Sequence, residues 1–190
     1  NFSDFGYLAD IDLGFFGVPE LCDIDGDGDL DLFIGNYTGG VYFFKNIGNS
    51  EKFTFSQTEF DLHGSSDLKR TSPRFVDLDK DSDYDLIIGT QESGLWVYWN
   101  IGDSSNYIFK KDSCLELNIY GKNLKPEILD LNSNGQLDLI TGISTGGFIH
   151  YLVSQVGDIN SDFNIDIFDV VRIIENIHIS DQSSFCRSDI

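Results

Sequence analysis

Pro19 to Gly35 reads PELCDIDGDGDLDLFIG, Pro73 to Gly89 reads PRFVDLDKDSDYDLIIG, and Pro126 to Gly142 reads PEILDLNSNGQLDLITG. The three stretches align without gaps at offsets of 54 and 53 residues. A fixed period of this size points to propellers, solenoids or arrays. Each unit opens with a short apolar run after its proline: Leu21 to Ile24, Phe75 to Leu78, Ile128 to Leu131. An acid-rich loop follows, then a second apolar or alternating run (Leu30, Leu32, Ile34; Leu86 to Ile88; Leu137, Leu139, Ile140). A glycine-containing turn leads to a third run, at Val41 to Phe44, Leu95 to Trp99 and Phe148 to Val153. Near-identical turns, Asn46 to Asn49 and Asn100 to Asp103, then precede a fourth run at Phe53 to Phe55 and Tyr107 to Phe109. Aromatic and β-branched residues favour strands at such positions. Four short strands per period predict an all-β chain of three four-stranded antiparallel propeller-type blades.

The acidic loops are the chemical signal. The first carries Asp23, Asp25, Asp27, Asp29 and Asp31; the second Asp77, Asp79, Asp81, Asp83 and Asp85; the third Asp130, Asn132, Asn134, Gln136 and Asp138. Oxygen-bearing side chains recur at positions 1, 3, 5 and 9, and position 7 can serve through its backbone carbonyl. Calcium takes six to eight oxygens in flexible geometry, and carboxylates at alternate positions of a tight loop converge on one point. Without such an ion, acids that close repel one another and raise one another's pKa. The third loop offers two carboxylates and two amides beside Gln136, so weaker binding is expected there. No ligand stands at position 12, which makes these hairpin sites rather than EF-hands.

These loops, each followed by Leu-x-x-Gly after its last Asp, resemble FG-GAP or VCBS repeats, the blades of integrin α-subunit propellers and of many bacterial surface proteins. The resemblance spans roughly residues 15 to 153. It implies calcium in the loops and a role in adhesion or in protein or glycan contact. Propellers of that family close with about six to eight blades, whereas this chain supplies three. The expected division is a unit of 1–153, with an N-terminal strand in 1–14 and repeats at about 15–68, 69–121 and 122–153, and a distinct segment at 154–190.

That last segment contains GDINSDFNIDIFDVVRIIENI from Gly157 to Ile177. Asp158, Asn160, Asp162, Asn164, Asp166 and Asp169 fall at positions 1, 3, 5, 7, 9 and 12 of a calcium loop. Phe168, Val170, Val171, Ile173, Ile174 and Ile177 then recur at helical spacing. The segment resembles half of a dockerin, with Phe163 where the turn prefers Gly and with no second loop-helix copy. The resemblance implies a calcium loop and helix; with a single copy a structural cap is expected, and cohesin binding is left open. About four calcium ions are expected in all.

Composition narrows the function. The formal net charge is −20, from 32 acidic and 12 basic residues. Nucleic-acid binding needs a basic face and is not expected. Half of the acids lie in the four loops. No apolar run reaches the ~18 residues of a membrane helix. The chain has no signal peptide and no Met, so it reads as a mature or excised piece, secreted or at the cell surface.

His63, His150 and His178 lie in unrelated contexts, and no Ser or Cys constellation surrounds them. A non-catalytic protein is expected. Cys22 aligns with Val76 and Leu129 and reads as a buried core thiol. Cys114 and Cys186 have no apolar counterpart; a disulfide between them would tie the tail to blade two, and the sequence leaves that pairing open. Asn1 and Asn36 begin N-glycosylation sequons.

Two functions compete. One is a structural or adhesive surface module that assembles head to tail with copies of itself into a ring or filament, its N-terminal strand completing a neighbour's third blade. The other is a ligand- or glycan-binding appendage of a larger secreted carbohydrate-active or cell-surface protein. A fragment of a longer propeller is the plainer account of the same strand count.

Overall fold

The computed structural model describes residues 13–60, 68–92, 94–117, 121–133 and 135–151. Strands and turns make up the regular structure of these residues, and none is helical. The strands form three antiparallel sheets. The first contains β1 (Val18–Cys22), β2 (Asp31–Gly35), β3 (Val41–Asn46) and β4 (Phe55–Thr58). The second contains β5 (Ser72–Val76), β6 (Asp85–Gly89), β7 (Leu95–Asn100) and β8 (Phe109–Leu117). The third contains β9 (Lys125–Leu129), β10 (Asp138–Gly142) and β11 (Phe148–Tyr151). Sequence neighbours pair throughout, so every sheet is a simple meander.

The register repeats with the sequence. Leu21 faces Leu32 and Leu32 faces Phe44; Phe75 faces Leu86 and Leu86 faces Tyr98; Ile128 faces Leu139 and Leu139 faces Tyr151. A one-residue slip would turn every side chain to the other face. The acidic loop therefore leaves and rejoins each sheet at one fixed place, from Cys22 to Asp31, Val76 to Asp85 and Leu129 to Asp138.

The sheets stack through their faces, with β1 beside β5 and β5 beside β9. Phe33, Phe43, Phe60, Phe75 and Tyr98 join Cys22, Ile24 and Val41 in a core between the first two sheets. Leu78, Ile87, Leu95, Val97, Leu124, Ile128 and Leu139 form a second, aliphatic core that reaches the third sheet. The middle sheet feeds both cores, Leu86 and Ile88 entering one and Ile87 the other. All five residues of β6 are consequently buried.

The glycine that ends each of the first two motifs has a steric reason. A Cβ on Gly35 would lie 2.2 Å from the Thr71 carbonyl oxygen, and one on Gly89 would lie 2.2 Å from that of Leu124. The approach to the next sheet crosses there, with Thr71 N donating to Asn36 O and Leu124 N to Thr90 O, each at 3.0 Å. Among the described residues, Gly142 has only the Lys125 Cβ near it, at 4.0 Å.

Several boundaries differ from the sequence reading. β1 begins before Leu21, and Ile24 packs in the core beyond the strand end. The fourth strands start at Phe55 and Phe109, not Phe53 and Tyr107. The reason is the asparagine that ends β3 and β7. Asn46 Oδ1 accepts from Gly48 N at 3.0 Å and Thr54 N at 2.9 Å, and Asn100 Oδ1 from Gly102 N at 3.1 Å and Ile108 N at 2.8 Å. These side chains close the hairpin turn over Phe53 and Tyr107, and the strands begin two residues later. The third sheet has three strands among the described residues. The expected N-terminal strand falls mostly, and the calcium loop and helix of 154–190 wholly, outside the described residues.

Candidate metal centre

Each acidic loop follows the first strand of its sheet and turns through left-handed backbone at its fourth and sixth positions. These are Gly26 and Gly28 (φ 68° and 92°), Lys80 and Ser82 (65° and 79°), and Ser133 and Gly135 (59° and 84°). Only Gly adopts this region without steric cost. The loops thus share a backbone although their residues differ.

The first Asp holds the turn closed. Asp23 Oδ1 accepts from Asp27 N at 3.1 Å and its Oδ2 from Gly28 N at 3.0 Å. Asp77 Oδ2 accepts from Ser82 N at 3.1 Å, and Asp130 Oδ2 from Gly135 N at 2.8 Å. The ninth-position Asp locks the loop to the sheet from inside. Asp31 Oδ1 accepts from Asn46 N at 2.7 Å. Asp85 accepts from Asn100 N at 2.8 Å and from Leu78 N at 3.0 Å, and Asp138 from Leu131 N at 3.0 Å. Asp31 and Asp85 are each 1% exposed.

Two carboxylate clusters result. Asp23, Asp25 and Asp27 bring oxygens within 4.8 Å of one another, and so do Asp77, Asp79 and Asp85. Asp29 and Asp83, at the seventh position, are buried too. Buried oxygens of Asp25, Asp29 and Asp31 in the first loop, and of Asp77 and Asp83 in the second, have no hydrogen-bond partner. A buried charged oxygen left unpaired is costly, so such groups ordinarily hold a cation or a proton. Burial, reinforced by neighbouring aspartates, pushes the Asp83 carboxyl up to about 6. Burial also pushes Asp31 up to about 6 and Asp85 up to about 7, against the hydrogen bonds that hold them ionised. An all-oxygen, multi-carboxylate donor set of this kind fits calcium.

The third loop is built differently. Among the described residues its side chains form no cluster of three acids, and Asn134 lies outside them. Asp138 has His150 Nε2 3.8 Å from its Oδ1.

Two features escaped the sequence reading. Lys45, on β3, places its ammonium against Asp25 Oδ2 and 4.0 Å from Asp27 Oδ2. The β7–β8 hairpin of the second sheet also roofs the first loop. A Cβ on Gly26 would lie 2.9 Å from Ser104 O, and Tyr107, held above its ordinary pKa mainly by burial, feels Asp31 and Asp25. The only sequence signal for Lys45 is its position, one residue before Asn46, where Trp99 stands before Asn100.

The remaining candidates divide. Cys22 is a free, buried thiol whose pKa burial raises, as expected for a core position. Asn36 is 1% exposed. Its Nδ2 donates to Leu13 O at 2.9 Å, and its Oδ1 accepts from Thr38 and Gly39 amides, each at 3.1 Å. The folded domain keeps this acceptor amide in its interior. Asn1, Cys186, Asp158, Asn160, Asp162, Asn164, Asp166 and Asp169 lie outside the described residues. Cys114 stands on β8.

Stacked antiparallel meanders, each with an acidic loop between its first and second strands, define an acid-looped β-repeat protein. The FG-GAP-like repeat matches the chain over residues 23–88 and again over 77–141. Together these matches span more than half of the chain, which belongs to this repeat family. No curated protein matches it. No helix among the described residues is long and apolar enough to cross a membrane.

Proposed function

We propose that the chain is a calcium-stabilised, non-catalytic structural or adhesive module of the cell surface or extracellular space. The five buried, unpaired carboxylate oxygens of the first two loops carry this reading. A protein that invests so many desolvated acids in two turns is most stable when a divalent cation neutralises them. Asp23, Asp25, Asp27 and Asp31 would hold one ion, and Asp77, Asp79, Asp81 and Asp85 another, with Asp29 and Asp83 close by. The third loop is the weaker site, and the 158–169 loop a fourth. Each site contributes about 2.7 kcal/mol at a hundredfold saturation. Calcium titration by calorimetry, with melting curves in calcium and in chelator, tests the reading. A melting curve indifferent to chelator overturns it.

Head-to-tail assembly with copies of itself is the finer part of the proposal. Gly142 keeps the residue that the first two repeats need where a following sheet crosses, and among the described residues no backbone crosses it. Among the described residues the third sheet has three strands; an unpaired strand edge invites a further strand, and a head-to-tail contact yields a ring or a filament. Light scattering of the chain with and without residues 1–12 tests this; unchanged assembly after truncation excludes strand donation.

A glycan- or ligand-binding appendage of a larger secreted protein is the second reading. Phe53, 60% exposed, stacks on Phe55 at 5.4 Å beside exposed Ile47. Such an apolar platform suits the face of a sugar ring. Loss of glycan binding on Phe53→Ala would support it.

A further inference from the structure

The first two loops carry the same five aspartates at the same positions, yet among the described residues only the first has a cation paired with its acids. Lys45 reaches from β3 into the cluster, against Asp25 Oδ2 and within 4.0 Å of Asp27 Oδ2. Both aspartates belong to the group whose oxygens converge within 4.8 Å. Its side chain is 39% exposed, so the stem can swing toward water without disturbing the core. In the second loop the corresponding residue is Trp99, whose Nε1 donates to Asp112 Oδ2 at 2.8 Å. Lys80, the basic residue within that loop, donates to Gly135 O of the third loop at 2.8 Å. Among the described residues no Lys or Arg forms an ion pair with a second-loop acid.

We propose that Lys45 is a tethered counter-cation that competes with calcium for the first loop. It makes that loop the weaker, calcium-responsive site, while the second loop is the tighter one. The inference rests on the calcium reading above. Without calcium the ammonium neutralises part of the first cluster and holds the loop near its folded shape. An arriving divalent ion needs the Asp25 and Asp27 oxygens and repels the ammonium, so Lys45 must leave. That exchange lowers the apparent affinity by the strength of the contact it breaks. Because a tryptophan stands at the corresponding position, the second loop binds without this exchange.

The test uses the full chain and calcium itself. Asp79→Asn removes the tighter site, and calorimetry then compares this background with and without Lys45→Met. The methionine keeps the apolar stem and loses the charge. First-loop affinity should rise at least about tenfold, a difference calorimetry resolves readily, while Lys45→Arg should stay near the parent. Melting curves supply a second readout in the otherwise unaltered chain. Lys45→Met should melt lower than the parent in chelator and level with it in saturating calcium, where Lys45 has already left the cluster. A merely structural ion pair would lower both. Lys45→Gln serves if the methionine variant does not fold. Equal calcium affinities, or a lower melting temperature in both conditions, overturn the proposal and leave the calcium reading intact. If neither parent nor variant binds calcium, both fall.

Discussion

Gly26 and Gly28 sit two residues apart in the same loop with the same left-handed backbone, yet their surroundings differ. A Cβ at Gly28 meets nothing within 4 Å, whereas one at Gly26 meets the Ser104 carbonyl of the next sheet at 2.9 Å. Gly28→Ala should cost about 1 kcal/mol, the backbone strain alone. Gly26→Ala should cost about 1–3 kcal/mol more, because the neighbouring hairpin must shift. Denaturant unfolding of the pair measures the difference, and equal losses would mean that the hairpin does not roof the loop. The ninth-position aspartates invite a parallel comparison. Asp31→Ala leaves Asn46 N without its acceptor, roughly 1–3 kcal/mol for a buried donor, and also removes a carboxylate from beside the first cluster. Asp138→Ala removes a similar hydrogen bond in a loop without such a cluster. Both variants should lower stability in chelator, but only Asp31→Ala should markedly reduce the gain that calcium confers on melting.

At the scale of the loop, burial sets a dependence on pH. Folded-state values of about 6 for Asp31 and Asp83 and about 7 for Asp85 lie above the ~3.9 of an unfolded aspartate. Between about pH 4 and pH 7 the folded chain therefore holds protons that the unfolded chain has released, and stability falls as pH rises through that window. In chelator the protein should melt higher at pH 5 than at pH 8. With saturating calcium the order should reverse, since protons and calcium compete for the same oxygens. Melting curves at the two pH values, each with calcium and with chelator, check both signs. The loops were legible from their spacing because alternate acids in a tight turn have one efficient use, and the period fixed which strands flank them. Lys45 was not legible, because its reach into the Asp25 cluster depends on how β3 lies over the loop. The burial of Asp29 and Asp83 was missed for a related reason. Their spacing placed them among the metal-site residues at a position that can serve through its backbone carbonyl, while their enclosure comes from packing. The far end of β4 was not legible either, because Ser56, Gln57 and Thr58 are exposed and carry no apolar pattern.

At the scale of the whole molecule, the buried apolar side chains of the described residues gather into two cores shared between sheets. Phe33 is fully buried and lies 4.4 Å, centroid to centroid, from Phe75 of the next sheet. Phe33→Ala should cost about 3–5 kcal/mol and loosen both sheets together, which hydrogen exchange of β2 and β6 amides would register. Protection lost only in the first sheet would count against such coupling. A quieter feature spans all three sheets. Glu20, Arg74 and Glu127 occupy one matching position on the three leading strands, and Arg74 pairs with Glu20 at 3.1 Å and with Glu127 at 3.0 Å. The signs alternate, and the number of repeats is odd. Any ring or filament of this chain would bring the Glu127 of one copy next to the Glu20 of another. The charge row, satisfied inside each chain, is then frustrated at every seam. In an assembly of the kind proposed above, seams would be the places that close last and part first, and dissolved salt, by screening the like charges there, would set how far it grows.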